Sequence, residues 1–140
     1  MTADPPSDPS ADPTETLRAF MPFAATLGIA VLRYDQEEVR LRLTWAPELC
    51  TAGGAMHGGA IMALADSAGG ACAYLNLPSG AAGTTTVESK TNFLRAVRDG
   101  YIEAAARPLH TGRTLIVVET DIRDTRQRLA GRVTQSQLVL

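Results

Sequence analysis

His57, Gly58 and Gly59 stand directly before a long apolar run, and Asp66 follows nine residues after His57, in the middle of that run. Its neighbours in sequence include Ile61, Met62, Ala63, Leu64, Ala65, Ala68 and Gly69. A charge buried among such residues without a partner is costly. Asp66 therefore either faces solvent at a helix edge with Ser67 or points into a ligand crevice. Two glycines that begin a buried helix expose free backbone N–H groups and admit a ligand close to them. The helix dipole adds attraction for negative charge. Together these features suit an oxyanion, the charge that develops when a carbonyl is attacked. His57 either caps and packs the loop or touches the ligand. Nine residues make about two and a half helical turns. His57 and Asp66 thus converge only if His57 lies off the helix axis or if Asp66 works opposite the His57 of another subunit.

The elements that must position these groups follow from periodicity. The run after His57 reads as a helix over about residues 58–75, rich in Ala and Gly. A helix that is apolar all round is buried. Small residues let a sheet approach its backbone. Leu17, Phe20, Phe23 or Ala24, and Leu27 recur at helical spacing. Pro22 bends or shortens that helix and Gly28 stops it. Residues 29–34 form a strand, Asp35-Gln36-Glu37 a turn, and Val39, Leu41, Leu43 and Trp45 alternate with polar residues as a half-buried strand. Residues 46–56 form a loop. Further strands lie within 84–97, 101–110, 114–124 and 129–140, with turns at Gly112 and at residues 124–128. No internal repeat is visible. The N-terminal stretch MTADPPSDPSADPT, residues 1–14, lacks apolar residues to bury and reads as a disordered tail. Residues 15–140 read as one domain. Strands grouped around one central helix imply an α+β fold, an antiparallel sheet wrapped around the helix. The far side of so apolar a helix must be enclosed by the sheet or covered by another subunit. Strands such as 38–45 and 112–123 are long, an open sheet edge invites pairing with another copy, and a symmetric homo-oligomer is expected.

Composition narrows the function. The chain has 140 residues, a net charge of −2, 45% hydrophobic and only 5% aromatic residues. The slight acidity argues against non-specific nucleic-acid binding. No apolar run approaches a membrane span. The N-terminus lacks the features of a signal peptide, so a cytoplasmic location is expected. Cys50 and Cys72 match no zinc or redox spacing and read as free thiols. No cluster of residues suggests a metal site.

The string His57-Gly58-Gly59 with Asp66 nine residues on, set in this small-residue helix and followed by Phe93-Leu94-Arg95 after the third strand, resembles the hotdog-fold acyl-CoA thioesterases of the PaaI (phenylacetate-degradation) type. The resemblance covers residues from about 16 to 140, and the element order agrees with it. It implies a hotdog fold and hydrolysis of an acyl-CoA thioester with no metal or cofactor. It implies that Asp66 is the nucleophile or the general base on water. It further implies that the Gly58 N–H polarises the thioester carbonyl, with Gly59 beside it, and that His57 shapes the loop or contacts the thioester. Thr86 matches a Ser or Thr that helps place the water. Thr51 stands where many relatives carry Asn or Gln as a second carbonyl contact. Asn92, Arg95 and the turn His110-Thr111-Gly112-Arg113 lie where relatives contact the CoA nucleotide. The resemblance also implies a homodimer or dimer of dimers with the crevice between subunits. A hydratase or dehydratase on the same fold carries a histidine about five residues after its Asp, whereas Ser67 to Ala71 hold none. The other rivals are a non-catalytic acyl-CoA-binding protein and a Cys50–His57 nucleophilic pair. Aromatic, short and medium acyl groups all suit an aliphatic pocket.

Overall fold

The computed structural model describes residues 10–140. The tail expected from composition lies outside the described residues as far as residue 9. Its last residues are corrected. Asp12 caps a helix, α1 (Pro13–Phe20), by accepting from the Thr14 N–H at 2.9 Å. Pro13 sits at a position where a missing N–H costs nothing. Thr14 is anchored further, its hydroxyl accepting from the Val31 N–H at 3.0 Å. The folded part therefore begins before residue 15.

The helix expected through Pro22 is two helices. Met21 leaves helical geometry (φ −120°, ψ 88°), and Pro22 opens α2 (Pro22–Leu27). The residue before a proline is pushed out of the α region, so the break falls there. Gly28 ends α2 in a left-handed conformation, φ 72°. The chain then enters β1 (Ala30–Tyr34), turns at Asp35 and returns as β2 (Val39–Thr44). The alternation is borne out, with Val39, Leu41 and Leu43 fully buried. After the loop comes α3 (Gly58–Leu75), then β3 (Thr84–Phe93), β4 (Tyr101–Thr111), β5 (Leu115–Asp124) and β6 (Leu129–Val139).

All pairings are antiparallel, and the six strands run β1-β2-β4-β5-β6-β3. This is the α+β hotdog arrangement, a curved sheet around one long helix. The strands at 38–45 and 112–123 lie inside the sheet, and the open edges belong to β1 and β3. Ile61, Leu64, Ala65, Ala68, Ala71 and Cys72 of α3 are buried against Ile102, Ile116, Val118, Ile122 and Val133 of the sheet. Each fully buried Leu, Ile or Val side chain among them contributes about 1.5–3 kcal/mol relative to exposure. One stripe of α3 stays open within the chain: Gly59, Met62 and Asp66 are exposed. It lies on a helix that packs against β3, which is itself exposed along most of its length.

Candidate active site

Asp66 is exposed on the open stripe of α3, yet its carboxylate is held from the side of the sheet. Oδ1 accepts from the Thr86 hydroxyl at 3.2 Å and from Gln135 Nε2 at 2.7 Å. Thr86 in turn accepts from Gln137 Nε2 at 2.7 Å, and Gln137 Oε1 accepts from the Thr84 hydroxyl at 3.3 Å. The single Thr84 proton also faces the Leu138 carbonyl at 3.0 Å, so the firm order of donors is Gln137 to Thr86 to Asp66. Ser67 takes no part, because its hydroxyl donates to the Ala63 carbonyl at 2.8 Å.

Local geometry explains how Thr86 reaches Asp66. The register between β3 and β6 slips at Val87, where Thr86 pairs with Gln137 and Glu88 with Ser136. Such a bulge adds one residue to one strand and switches the parity of everything after it. Thr86 therefore shares the inner face with Ser89 and Thr91, although even and odd positions normally face opposite ways.

A cavity of about 560 Å³ adjoins this network, with Asp66, Thr86 and Gln137 on its wall. Phe20 and Phe23 of α1 and α2, Tyr34 of β1 and Tyr74 of α3, on the same helix as Asp66, also line it. Phe20 and Tyr74 pack with ring centroids 5.7 Å apart. Burial, with a smaller effect of Tyr74, pushes the Tyr34 hydroxyl above its ordinary pKa, so it stays neutral at working pH. Sequence reading placed none of these aromatic residues at the site. Gln135 and Gln137 were missed as well, though their pairing with Val133 and Val139 on one parity of β6 was a usable signal.

The N-terminus of α3 presents a second group of residues. His57 caps the helix, its Nδ1 accepting from the Gly59 N–H at 2.8 Å. The Gly58 N–H has no acceptor among the described residues. The Phe93 ring lies over Gly58, so close that a Cβ there would meet it at 3.1 Å. His57 and Gly59 line a cavity of about 260 Å³ with Cys50, whereas Gly58, Phe93 and Arg95 line another of about 480 Å³. Neither cavity includes Asp66, and Asp66 lies about 12 Å from Gly58 along the helix axis at 1.5 Å per residue. Thr51 is exposed, and its N–H closes a turn to the Ala55 carbonyl at 2.8 Å. Cys50 donates to the Ala46 carbonyl at 3.3 Å, and no hydrogen bond joins it to His57. Cys72 is buried, and burial, with a smaller effect of Asp35, pushes its thiol up to about 11.

The residues expected at the CoA nucleotide are not gathered by one chain. Asn92 pairs with Arg132 on the outer face of the sheet. Arg95 lies beside Gly58, beyond the Phe93 end of β3, while Gly112 and Arg113 form the turn before Leu115. Leu115 pairs with Leu138, and Phe93 with Gly131, so the two ends are seven residues apart along β6. At about 3.4 Å per residue that separation is near 24 Å. Among the described residues, no three His, Cys, Asp or Glu side chains are grouped to hold a metal ion. No helix among them is long and apolar enough to cross a membrane.

Comparison with known proteins gives a consistent family. The model of the Thioesterase superfamily matches residues 53–130. A mutant thioesterase from Pseudomonas aeruginosa is 26% identical and covers 95% of this chain and 96% of its own, with a TM-score of 0.84. A thioesterase from Haemophilus influenzae is also 26% identical, with 91% and 90% covered and a TM-score of 0.83. The PaaI protein of the E. coli phenylacetic acid degradation operon shares the fold at 20% identity, with 90% and 89% covered and a TM-score of 0.82.

Proposed function

Because the chain belongs to the Thioesterase superfamily and is a thioester hydrolase, we propose that it cleaves an acyl-CoA and that Asp66 is the carboxylate that drives the cleavage. The observation that carries this reading is the Asp66 carboxylate, held by Thr86 at 3.2 Å on the wall of a 560 Å³ cavity that aromatic residues also line. The cavity accommodates the acyl group. On this reading the thioester carbon lies within reach of the Asp66 carboxylate.

Two routes use the same carboxylate. As a base, Asp66 takes a proton from water, and the hydroxide oxygen bonds to the carbonyl carbon. The C–S bond then breaks, and the proton passes to the departing sulfur. As a nucleophile, Asp66 bonds to the carbon itself and expels the thiolate. Water then opens the anhydride and restores the carboxylate. In both routes the carbonyl oxygen gains negative charge. The Gly58 N–H, unused within the chain, is the donor suited to it, and removing one such donor typically costs about 2.7–4 kcal/mol.

Asp66 and the Gly58 N–H cannot serve one thioester within one chain, so the site is completed by a second copy. The open edge of β3, with Val87 at 58% and Phe93 at 52% exposure, supports pairing there. A homodimer, or a tetramer of two such pairs, would bring one copy's Asp66 to the other's His57 loop. The two free cysteines, Cys50 and Cys72, suit a reducing compartment such as the cytoplasm. A panel of aromatic, short and medium acyl-CoAs, read by a free-thiol reagent, tests the proposal. Turnover of at least one supports it. Tight binding of acyl-CoA with no thiol release would make the protein a binding module instead.

A further inference from the structure

We propose that Gln135 is a positioning residue for Asp66: it holds Oδ1 from behind, together with Thr86, and leaves Oδ2 as the oxygen that reacts. The inference rests on the reading of Asp66 as the hydrolytic carboxylate. Two donors, from β3 and β6, converge on the same oxygen, Gln135 Nε2 at 2.7 Å and the Thr86 hydroxyl at 3.2 Å. No protein donor among the described residues reaches Oδ2. Two bonds to one oxygen fix the plane of the carboxylate and give its two oxygens different duties.

Gln135 is a costly residue for this position. Its side chain is 0% exposed, on the inner face of β6 between Val133 and Val139 in parity. Its Oε1 is buried without a hydrogen-bond partner. An amide half satisfied in a core destabilises it relative to an apolar side chain of the same shape. The amide faces this way because the reverse would set Oε1 against a carboxylate oxygen. The helix is shaped to admit it: a Cβ on Gly69 would lie 1.8 Å from Gln135 Oε1. A side chain at residue 69 would therefore displace the amide from Asp66. Gln135 is not part of the cavity wall, so it touches Asp66 and not the substrate.

The test replaces Gln135 by Met, which has similar length and no donor. Acyl-CoA hydrolysis is followed by free-thiol release, and folding by thermal unfolding. The expected result is a folded protein with an unchanged KM and a kcat lower by about ten- to a hundredfold, the scale of a misplaced catalytic group. In the Asp66→Asn background the same change should cost nothing further, because the two residues act as one unit. If Gln135→Met does not fold, Gln135→Asn keeps the amide but falls one methylene short of Oδ1, and it must show the same loss of kcat. Wild-type kcat in a folded variant overturns the inference, as does an equal further loss in the Asp66→Asn background. Asp66→Asn alone separates the two ideas. If it is inactive while Gln135→Met is normal, only the role of Gln135 falls. If it is fully active, the reading of Asp66 falls and the inference with it.

Discussion

His57 and Asp66 belong to one helix and open onto different cavities. His57 sits with Gly59 and Cys50 at the N-terminus, whereas Asp66 sits with Thr86 and Gln137 beside the aromatic wall. Nine residues of α3 separate them, about 13.5 Å along the axis at 1.5 Å per residue. On the proposed reading, in which Asp66 and the Gly58 N–H act on one thioester, two copies of the protein supply the two groups.

Asp66→Asn keeps the shape of the side chain and removes its charge. Thr86 and Gln135 still meet a side-chain amide, so the fold and acyl-CoA binding should persist. Turnover should fall by at least about a hundredfold, the usual scale for a general base. Steady-state kinetics beside equilibrium binding of a CoA ester check this. Near wild-type turnover would make Asp66 structural.

The Gly58 N–H can be deleted with little damage elsewhere. Gly58 is the first residue of α3, and His57 before it is extended (φ −64°, ψ 135°). Both suit a proline at residue 58. The new ring would press on Phe93, which a Cβ at residue 58 already meets at 3.1 Å. Gly58→Pro should lower kcat by about a hundred- to a thousandfold. Gly58→Ala, which adds the Cβ and keeps the N–H, should lose far less. Equal losses in the two variants would remove Gly58 from the oxyanion site.

Mixing the two kinds of defect reports on the assembly. Chains carrying Asp66→Asn and chains carrying Gly58→Pro should each be nearly inactive. Co-refolded, they form some mixed dimers in which one site has both groups intact. Activity should reappear on mixing, and light scattering should show a particle larger than the 14.8 kDa chain. A stable monomer, or no recovery in verified mixed dimers, would rule out a shared site.

Arg95 lies in the cavity that Gly58 and Phe93 line, and no ion pair engages it among the described residues. On the proposed acyl-CoA reading, its guanidinium is the group that would meet a CoA phosphate. Arg95→Ala should raise KM for acyl-CoA by about tenfold and leave kcat nearly unchanged, as loss of uniform binding does. A truncated thioester without the nucleotide should be hydrolysed normally. Equal damage on the truncated substrate would move Arg95 from nucleotide binding to the support of the site. Arg113, at the far end of the sheet, should not mimic Arg95 within the same site of one chain.

Stability in acid should track Asp124. Its side chain closes the β5–β6 turn, accepting from the backbone N–H groups of Arg126 and Arg128 at 3.0 and 2.9 Å and from Arg128 Nε at 2.8 Å. Burial acts to raise its pKa. The Arg128 guanidinium and the two N–H groups act the other way and prevail, so the carboxyl sits below its ordinary value. A depressed folded-state pKa stabilises the protein above the unfolded value near about 3.9 and loses that effect as pH falls past it towards the folded value. Asp124→Asn should therefore cost about 1–2 kcal/mol at pH 7 and progressively less below about pH 4. Thermal unfolding at several pH values checks the convergence, and a constant difference would exclude the ionised carboxylate as the cause.

Local features of the chain were legible in its residues. The helix at 58–75 was legible because a small-residue apolar run is bounded by His57 and by Asn76-Leu77-Pro78. The strands were legible because side chains alternate with period two. His57-Gly58-Gly59 and Asp66 stood out because their chemistry clashes with the residues around them. Pro22 signalled a disturbance, but its severity, two helices instead of one bent one, depended on how α1 and α2 pack. Asp12 could have been seen as a helix cap, yet the composition of residues 1–14 hid it. The tertiary structure alone decided the rest. Alternation in β6 sets Gln135 and Gln137 on one parity without saying that this parity faces α3. The neighbour of β3 is β6 rather than a strand adjacent in sequence, and the slip at Val87 turns Thr86 towards Asp66. Residues as distant as Phe20, Tyr34 and Tyr74 share a cavity only because the sheet curves around α3. Periodicity is a property of a few consecutive residues. Pairing, register and the inner face are settled by burial over the whole chain, and that burial puts two hydrogen bonds on one oxygen of Asp66.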